Sequence, residues 1–173
     1  MITATPRPAP PRPTAPVPTP SVRTGRRRDA VALADLSLPF VRSGALRERP
    51  LALFAVHAAD FLVTEAPDGT LEGCVGLREY PAGSEEGRGP AGVLYNFCVA
   101  GHRQGGGVGA GLLRAAVARA RARSLGSLFT ATTGGGDLFL RHGFAPSAAR
   151  LAPPSWADSL DPRRDARILA RIL

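Results

Sequence analysis

Leu94-Tyr-Asn-Phe-Cys-Val-Ala-Gly-His-Arg-Gln104-Gly-Gly-Gly-Val-Gly109-Ala-Gly-Leu-Leu113 runs from an apolar strand through a glycine-dense turn into a helix. Glycine reaches positive φ at little cost and lets a ligand approach the main chain. The first N–H groups of a helix have no partner within it and carry the positive end of its dipole. The turn is therefore a seat for an anion of pyrophosphate type. A P-loop needs Lys and then Ser or Thr after its last glycine, where Ala110-Gly111 stand. A dinucleotide fingerprint through Gly105, Gly107 and Ala110 lacks the acidic residue expected about 20 positions on. Arg114, Arg119, Arg121 and Arg123 follow instead, and the first acid is Asp137.

Working outward, the 173 residues fit one domain with a single core. The formal net charge is +8, and all 22 basic residues are Arg. Residues 1–28 hold Arg7, Arg12, Arg23, Arg26, Arg27 and Arg28 with no acid and eight of the 17 prolines. Such a segment buries too little to offset its ordering entropy, so a disordered tail over 1–28 and a folded domain over 29–173 are expected. No run approaches ~18 consecutive apolar residues, and no apolar region follows the N-terminal charges, so a soluble, unexported, cytoplasmic protein is expected. Cys74 and Cys98 fall in predicted strands without the spacing of a metal site, and read as reduced core residues.

Leu33–Val41 and Leu51–Ala59 are apolar enough to pack. Phe61–Glu65 and Leu71–Leu77 read as strands joined through the turn sequence Pro67-Asp-Gly69. A polar loop from Gly83 to Gly89 leads to the strand Val93–Val99. The helix Val108–Leu125 places Val108, Leu112, Ala116 and Ala120 on one face and stops at Gly126. Leu128–Thr133 is a strand, Asp137–Arg141 a short helix, and Arg167–Leu173 a final strand with Ile168, Leu169, Ile172 and Leu173 inward. This order gives a mixed α/β domain around one central sheet.

Gln104, Gly107 and Gly109 also fit the pattern Gln/Arg-x-x-Gly-x-Gly/Ala. With the spacing from Val99 to Leu113, this region resembles the acyl-CoA loop of the GCN5-related N-acetyltransferases. Further passages resemble the acetyltransferase domain of the amino-acid N-acetyltransferases, the N-acetylglutamate synthase family: Pro39-Phe-Val-Arg-Ser-Gly44-Ala-Leu-Arg-Glu-Arg49, Glu72-Gly-Cys74-Val-Gly-Leu77, Leu128–Thr133 with Phe139-Leu-Arg-His-Gly-Phe144, and Arg163–Leu169. Single-domain acetyltransferases linked to arsenical resistance share several of them. The resemblance implies a central mixed sheet with flanking helices and a splayed strand pair. It implies acetyl-CoA as acyl donor, with Cys98 and Val99 offering backbone to the pantetheine arm. Gln104, Gly105, Gly106, Gly107, Val108, Gly109 and Ala110 would hold the pyrophosphate, and Arg49 and Arg164 the carboxylate of an amino acid.

Departures from that family matter equally. Its strand glutamate, a candidate base, falls at Val93; its arginine after the Thr-Thr pair at Gly134; its serine near the end at Ala166; and the phenol many relatives use as general acid at Phe139. The remaining candidates for proton transfer are Glu79, Tyr80 and Tyr95. An N-acetyltransferase of a small amine, glutamate-like, acting by direct transfer, is expected. A transferase for a xenobiotic or antibiotic amine, and a degenerate acyl-CoA-binding module, stay open beside it. The expected partner is the small amine, with a homodimer left open and neither membrane nor nucleic acid foreseen; no metal is expected.

Overall fold

The computed structural model of the chain describes residues 21–82 and 89–173. Residues 83–88, most of the expected polar loop, and residues 1–20 lie outside the described residues. The elements in chain order are β1 (Val22–Thr24), α1 (Ala30–Arg42), α2 (Leu51–Val56), β2 (Phe61–Glu65), β3 (Leu71–Tyr80), β4 (Ala91–Val99), α3 (Val108–Ala122), β5 (Ser127–Thr132), α4 (Asp137–Arg141), β6 (Ala145–Pro146), α5 (Pro154–Ala157) and β7 (Arg167–Ile172). The strands form one sheet in the order β1-β2-β3-β4-β5-β7-β6, antiparallel throughout except for the parallel β4–β5 pair.

Strand alternation distributes the apolar residues between two cores. Leu62, Val75, Leu77 and Leu94 face α3, while Phe61, Val63, Cys74 and Cys98 pack with Leu33 of α1 and Phe54 of α2. Both sheet faces are covered, which is why these strands read as nearly unbroken apolar runs. On α3 the expected stripe of Val108, Leu112, Ala116 and Ala120 is fully buried. The helix stops earlier than the apolar pattern indicates. Ser124 takes φ +56°, and the Leu125 N–H turns back to the Ala120 carbonyl at 3.0 Å, dropping Leu125 into the core outside the helix.

Two further expectations are corrected. The fold begins before residue 29: Val22, Arg23 and Thr24 pair with Thr64, Val63 and Leu62. Arg23 secures this strand by donating to Glu65 and to the buried Asp29, whose carboxyl it holds below its ordinary pKa. Glu65 is 42 residues away, so local composition carries no sign of that partner. In β7, Leu169 is buried and Ile168 and Leu173 pack against the cores, but Ile172 is 79% exposed, at the strand end opposite Ser127. Cys74 and Cys98 are free, buried thiols as expected. Among the described residues no helix is long and apolar enough to cross a membrane.

Candidate active site

The site begins where two parallel strands part. Pairing between β4 and β5 covers only Ala91–Val93 opposite Ser127–Phe129, after which β4 continues to Val99 without β5 beside it. A bulge drives the divergence. Asn96 sits at φ +49°, and the β3–β4 register shifts between Cys74 and Gly76. Thr130 Oγ1 donates to the Leu94 carbonyl at 3.2 Å across the fork. Beyond that point the edge of β4 is open to a ligand. Ala100 N–H donates to Glu72 O at 2.8 Å, so by ladder alternation Cys98 turns its N–H and C=O toward β3 and Val99 turns its own toward the fork. Of the two residues expected to offer backbone, Cys98 has its main chain committed to β3 by the ladder register, while Val99 turns its own away from β3.

At the end of β4 the glycine turn returns the chain into α3. Gly105 (φ +77°) and Gly107 (φ +83°) hold left-handed backbone, and a Cβ on either would meet nothing within 4 Å. The surface beside them is therefore open, and the first-turn N–H groups of Val108, Gly109 and Ala110 lack carbonyls behind them. Gly106 donates to Arg103 O, and Gly109 is pressed against α4, where a Cβ would come within 3.1 Å of Leu138. The Gln104 amide donates to Val99 O at 3.1 Å, and Arg103 pairs with Glu72 at 3.2 Å. These contacts fix the turn to the strands it connects. The stretch from Gln104 to Ala110 thus combines open glycine backbone with the first N–H groups of α3, the features that suit a helix start to an anion.

On the α1 side of the fork lies a cavity of about 180 Å³ lined by Arg47, Arg49, Arg78 and Arg164, with Tyr80, Tyr95, Asn96, Thr133, Trp156 and Asp161 among its other walls. Two arginines close its rim reciprocally. Arg47 donates to Ser159 O at 3.0 Å, and Arg164 Nη2 donates to Gly44 O and Ala45 O at 2.7 and 2.9 Å. Arg49 is the deeper cation. Its Nε is buried without a hydrogen-bond partner, and its pKa is lowered by burial and by the neighbouring charges of Arg78 and Arg47. A carboxylate entering this cavity would gain charge-assisted hydrogen bonds that the protein leaves unmade.

Arg49 and Arg164 therefore meet at one cavity, although one edge of Arg164 is spent on the rim. The proton-transfer candidates separate. Tyr80 and Tyr95 line the cavity, whereas Glu79, one residue out of phase on β3, faces away from it and is ion-paired with Arg123, the residue that follows α3. Tyr95 donates to Asp60 Oδ2 at 3.2 Å; burial and that carboxylate raise its pKa, so it stays a phenol. Val93 and Ala166 line the cavity as apolar walls, and Phe139 packs edge-on to Phe97 and Phe144 with ring centroids 5.5 and 5.4 Å apart. Arg47 and Arg78 escape the sequence reading. For Arg78 the signal was available: it shares the Tyr80 face of β3 by the two-residue period.

The sequence profile of the Acetyltransferase (GNAT) family matches residues 30–144. Over 152 residues the chain is 29% identical to the amino-acid acetyltransferase of Azotobacter vinelandii, covering 88% of this chain and 34% of that protein. Against the amino-acid acetyltransferase of Ralstonia nicotianae it is 38% identical over 145 residues, covering 84% and 31%. The chain thus spans about a third of the length of these relatives. The N-acetylglutamate synthase of Neisseria gonorrhoeae, solved with coenzyme A and N-acetyl-glutamate, superposes with a TM-score of 0.79 at 27% identity, covering 92% of this chain and 36% of that one.

Proposed function

The chain belongs to the acetyltransferase (GNAT) family, and from that premise we propose that it transfers an acetyl group from acetyl-CoA directly to the amine of a small carboxylate-bearing acceptor, an acidic amino acid such as glutamate first among them. The observation that carries this reading is the cavity beside the fork, where Arg49 and Arg78 have no hydrogen-bonded or ion-paired partner among the described residues. In this reading the stretch from Gln104 to Ala110 holds the pyrophosphate through the first N–H groups of α3, those of Val108, Gly109 and Ala110, and the fork-facing backbone of Val99 orients the pantetheine. Acetyl-CoA supplies the thioester. Arg49, assisted by Arg164, holds the acceptor carboxylate so that its amine points into the fork, and positioning of this kind supplies much of the acceleration.

The amine nitrogen bonds to the carbonyl carbon, the carbon–sulfur bond breaks, and the thiolate departs. One proton must leave the attacking nitrogen. Apolar Val93 and Phe139 offer no group for that transfer, so water takes the proton and the acceptor reacts as the free amine. The rate should then rise with pH along the acceptor's own ammonium titration and move when an amine of different basicity is substituted. This reading implies the cytoplasm, where acetyl-CoA and free amino acids meet.

The apolar Val93 and Phe139 also favour a second reading, an acyl-CoA-binding module without turnover. Release of the CoA thiol across a panel of amino acids and small amines decides between them. Turnover confined to acidic amino acids supports the proposal; equal turnover of amines lacking a carboxylate overturns the arginine assignment. Binding of coenzyme A without turnover of any amine leaves the module.

A further inference from the structure

Tyr95 is held from three directions. Its hydroxyl donates to Asp60. The Phe61 ring meets it edge-on, with centroids 5.3 Å apart. Its third support is the bare backbone of β3: a Cβ built on Gly76 would lie 2.5, 2.6 and 2.8 Å from Cζ, Cε1 and Cε2 of the ring. Three ring carbons at nearly equal distance mean that Tyr95 lays a face on Gly76, and only glycine leaves space for it. Against the ring so fixed lie two guanidiniums, with Arg49 Cζ 5.1 Å and Arg78 Cζ 5.4 Å from its centroid. Guanidinium groups at such distances from an aromatic ring are attracted by its quadrupole. Two like charges otherwise repel, and neither is ion-paired with a carboxylate among the described residues.

We propose that Tyr95 is a positioning residue, a rigid aromatic platform that holds Arg49 and Arg78 together as a two-guanidinium clamp for one carboxylate of the acceptor. The ring contributes its face and not its hydroxyl, whose proton is engaged by Asp60. Arg78 thereby becomes a carboxylate ligand alongside Arg49, and Gly76 is required because the platform rests on it. The clamp rests on the acceptor reading above, but it makes a demand that reading does not: a carboxylate must bind whether or not anything is acetylated.

Glutarate, a dicarboxylate with no amine, is the probe. Its dissociation constant is measured by calorimetry on the full chain, with coenzyme A affinity and thermal unfolding as controls for the fold. The wild type should bind glutarate; Arg78→Gln and Tyr95→Leu should each weaken it by about tenfold or more, and Tyr95→Phe should restore it to within about twofold. If Tyr95→Leu loses the fold, Arg78→Gln and Tyr95→Phe decide. Failure of the wild type to bind glutarate overturns the clamp. So does unchanged binding in Arg78→Gln or in folded Tyr95→Leu, and so does a tenfold loss in Tyr95→Phe, which would move the role from the ring to the hydroxyl. Glutarate binding that follows the expected pattern in a chain that acetylates no amine would sink the transferase proposal and leave the clamp standing.

Discussion

At the start of α3 the groups open to a ligand are main-chain N–H bonds of one continuous stretch, those of Val108, Gly109 and Ala110 behind the turn at residues 105–107, whereas the cavity on the α1 side of the fork offers side chains from four separate segments, carrying Arg47 and Arg49, Arg78, Tyr95, and Arg164. The first is a backbone device. Its chemistry depends on φ values, on glycines that leave room, and on the helix that follows, all of them local. The second depends on where distant segments converge and on cations brought to one cavity. Mutation should therefore affect the two differently: in the turn through backbone conformation, in the cavity through charge and packing.

Phe139 tests the comparison most severely, because it packs on Phe97 of β4 and on Phe144 and belongs neither to the turn nor to the cavity wall. If its role is packing, Phe139→Ala should lower unfolding free energy in urea by about 3–5 kcal/mol, as for other buried aromatic deletions. A loss of turnover with no loss of stability would place chemistry there instead. Next in size, Arg49→Ala should raise the acceptor KM about 100-fold, from roughly 3 kcal/mol of charge-assisted hydrogen bonding, without weakening coenzyme A. Equal losses for both ligands would show that the two regions are not separable.

Gly107→Val imposes a branched side chain on a residue at φ +83°. A left-handed residue with a Cβ costs about 1–2 kcal/mol, so coenzyme A should bind about tenfold more weakly while glutarate binding is retained. Smallest is Arg47→Ala, which removes one rim hydrogen bond to Ser159. About 1 kcal/mol there corresponds to an acceptor KM raised about fivefold. Steady-state kinetics with each substrate varied in turn checks both changes.

The legibility of the two regions follows the same division. The turn, the stripe on α3 and the strands β2 to β5 are written in adjacent residues, because glycine content and periods of two and 3.6 are local properties. The cavity was half legible. Arg49 and Arg164 stood in passages resembling a known family, but Glu79 was placed with Tyr80 although successive strand residues face opposite ways. Arg78, on the correct face, carried no motif. The early start of the fold at Val22 was hidden for a related reason, since Arg23 is held by Asp29 and Glu65, and Glu65 belongs to another strand.

What the sequence determined by itself was therefore the backbone: a strand, a glycine turn and a helix start, inside a mixed α/β domain around one sheet. Only the tertiary structure decided which side chains share a cavity. It turned Cys98 toward β3 and Val99 toward the fork through the ladder register, and it laid Tyr95 over Gly76 beneath two arginines. Backbone conformation follows from neighbours along the chain, whereas the field and shape of a cavity are sums over segments that meet only after folding.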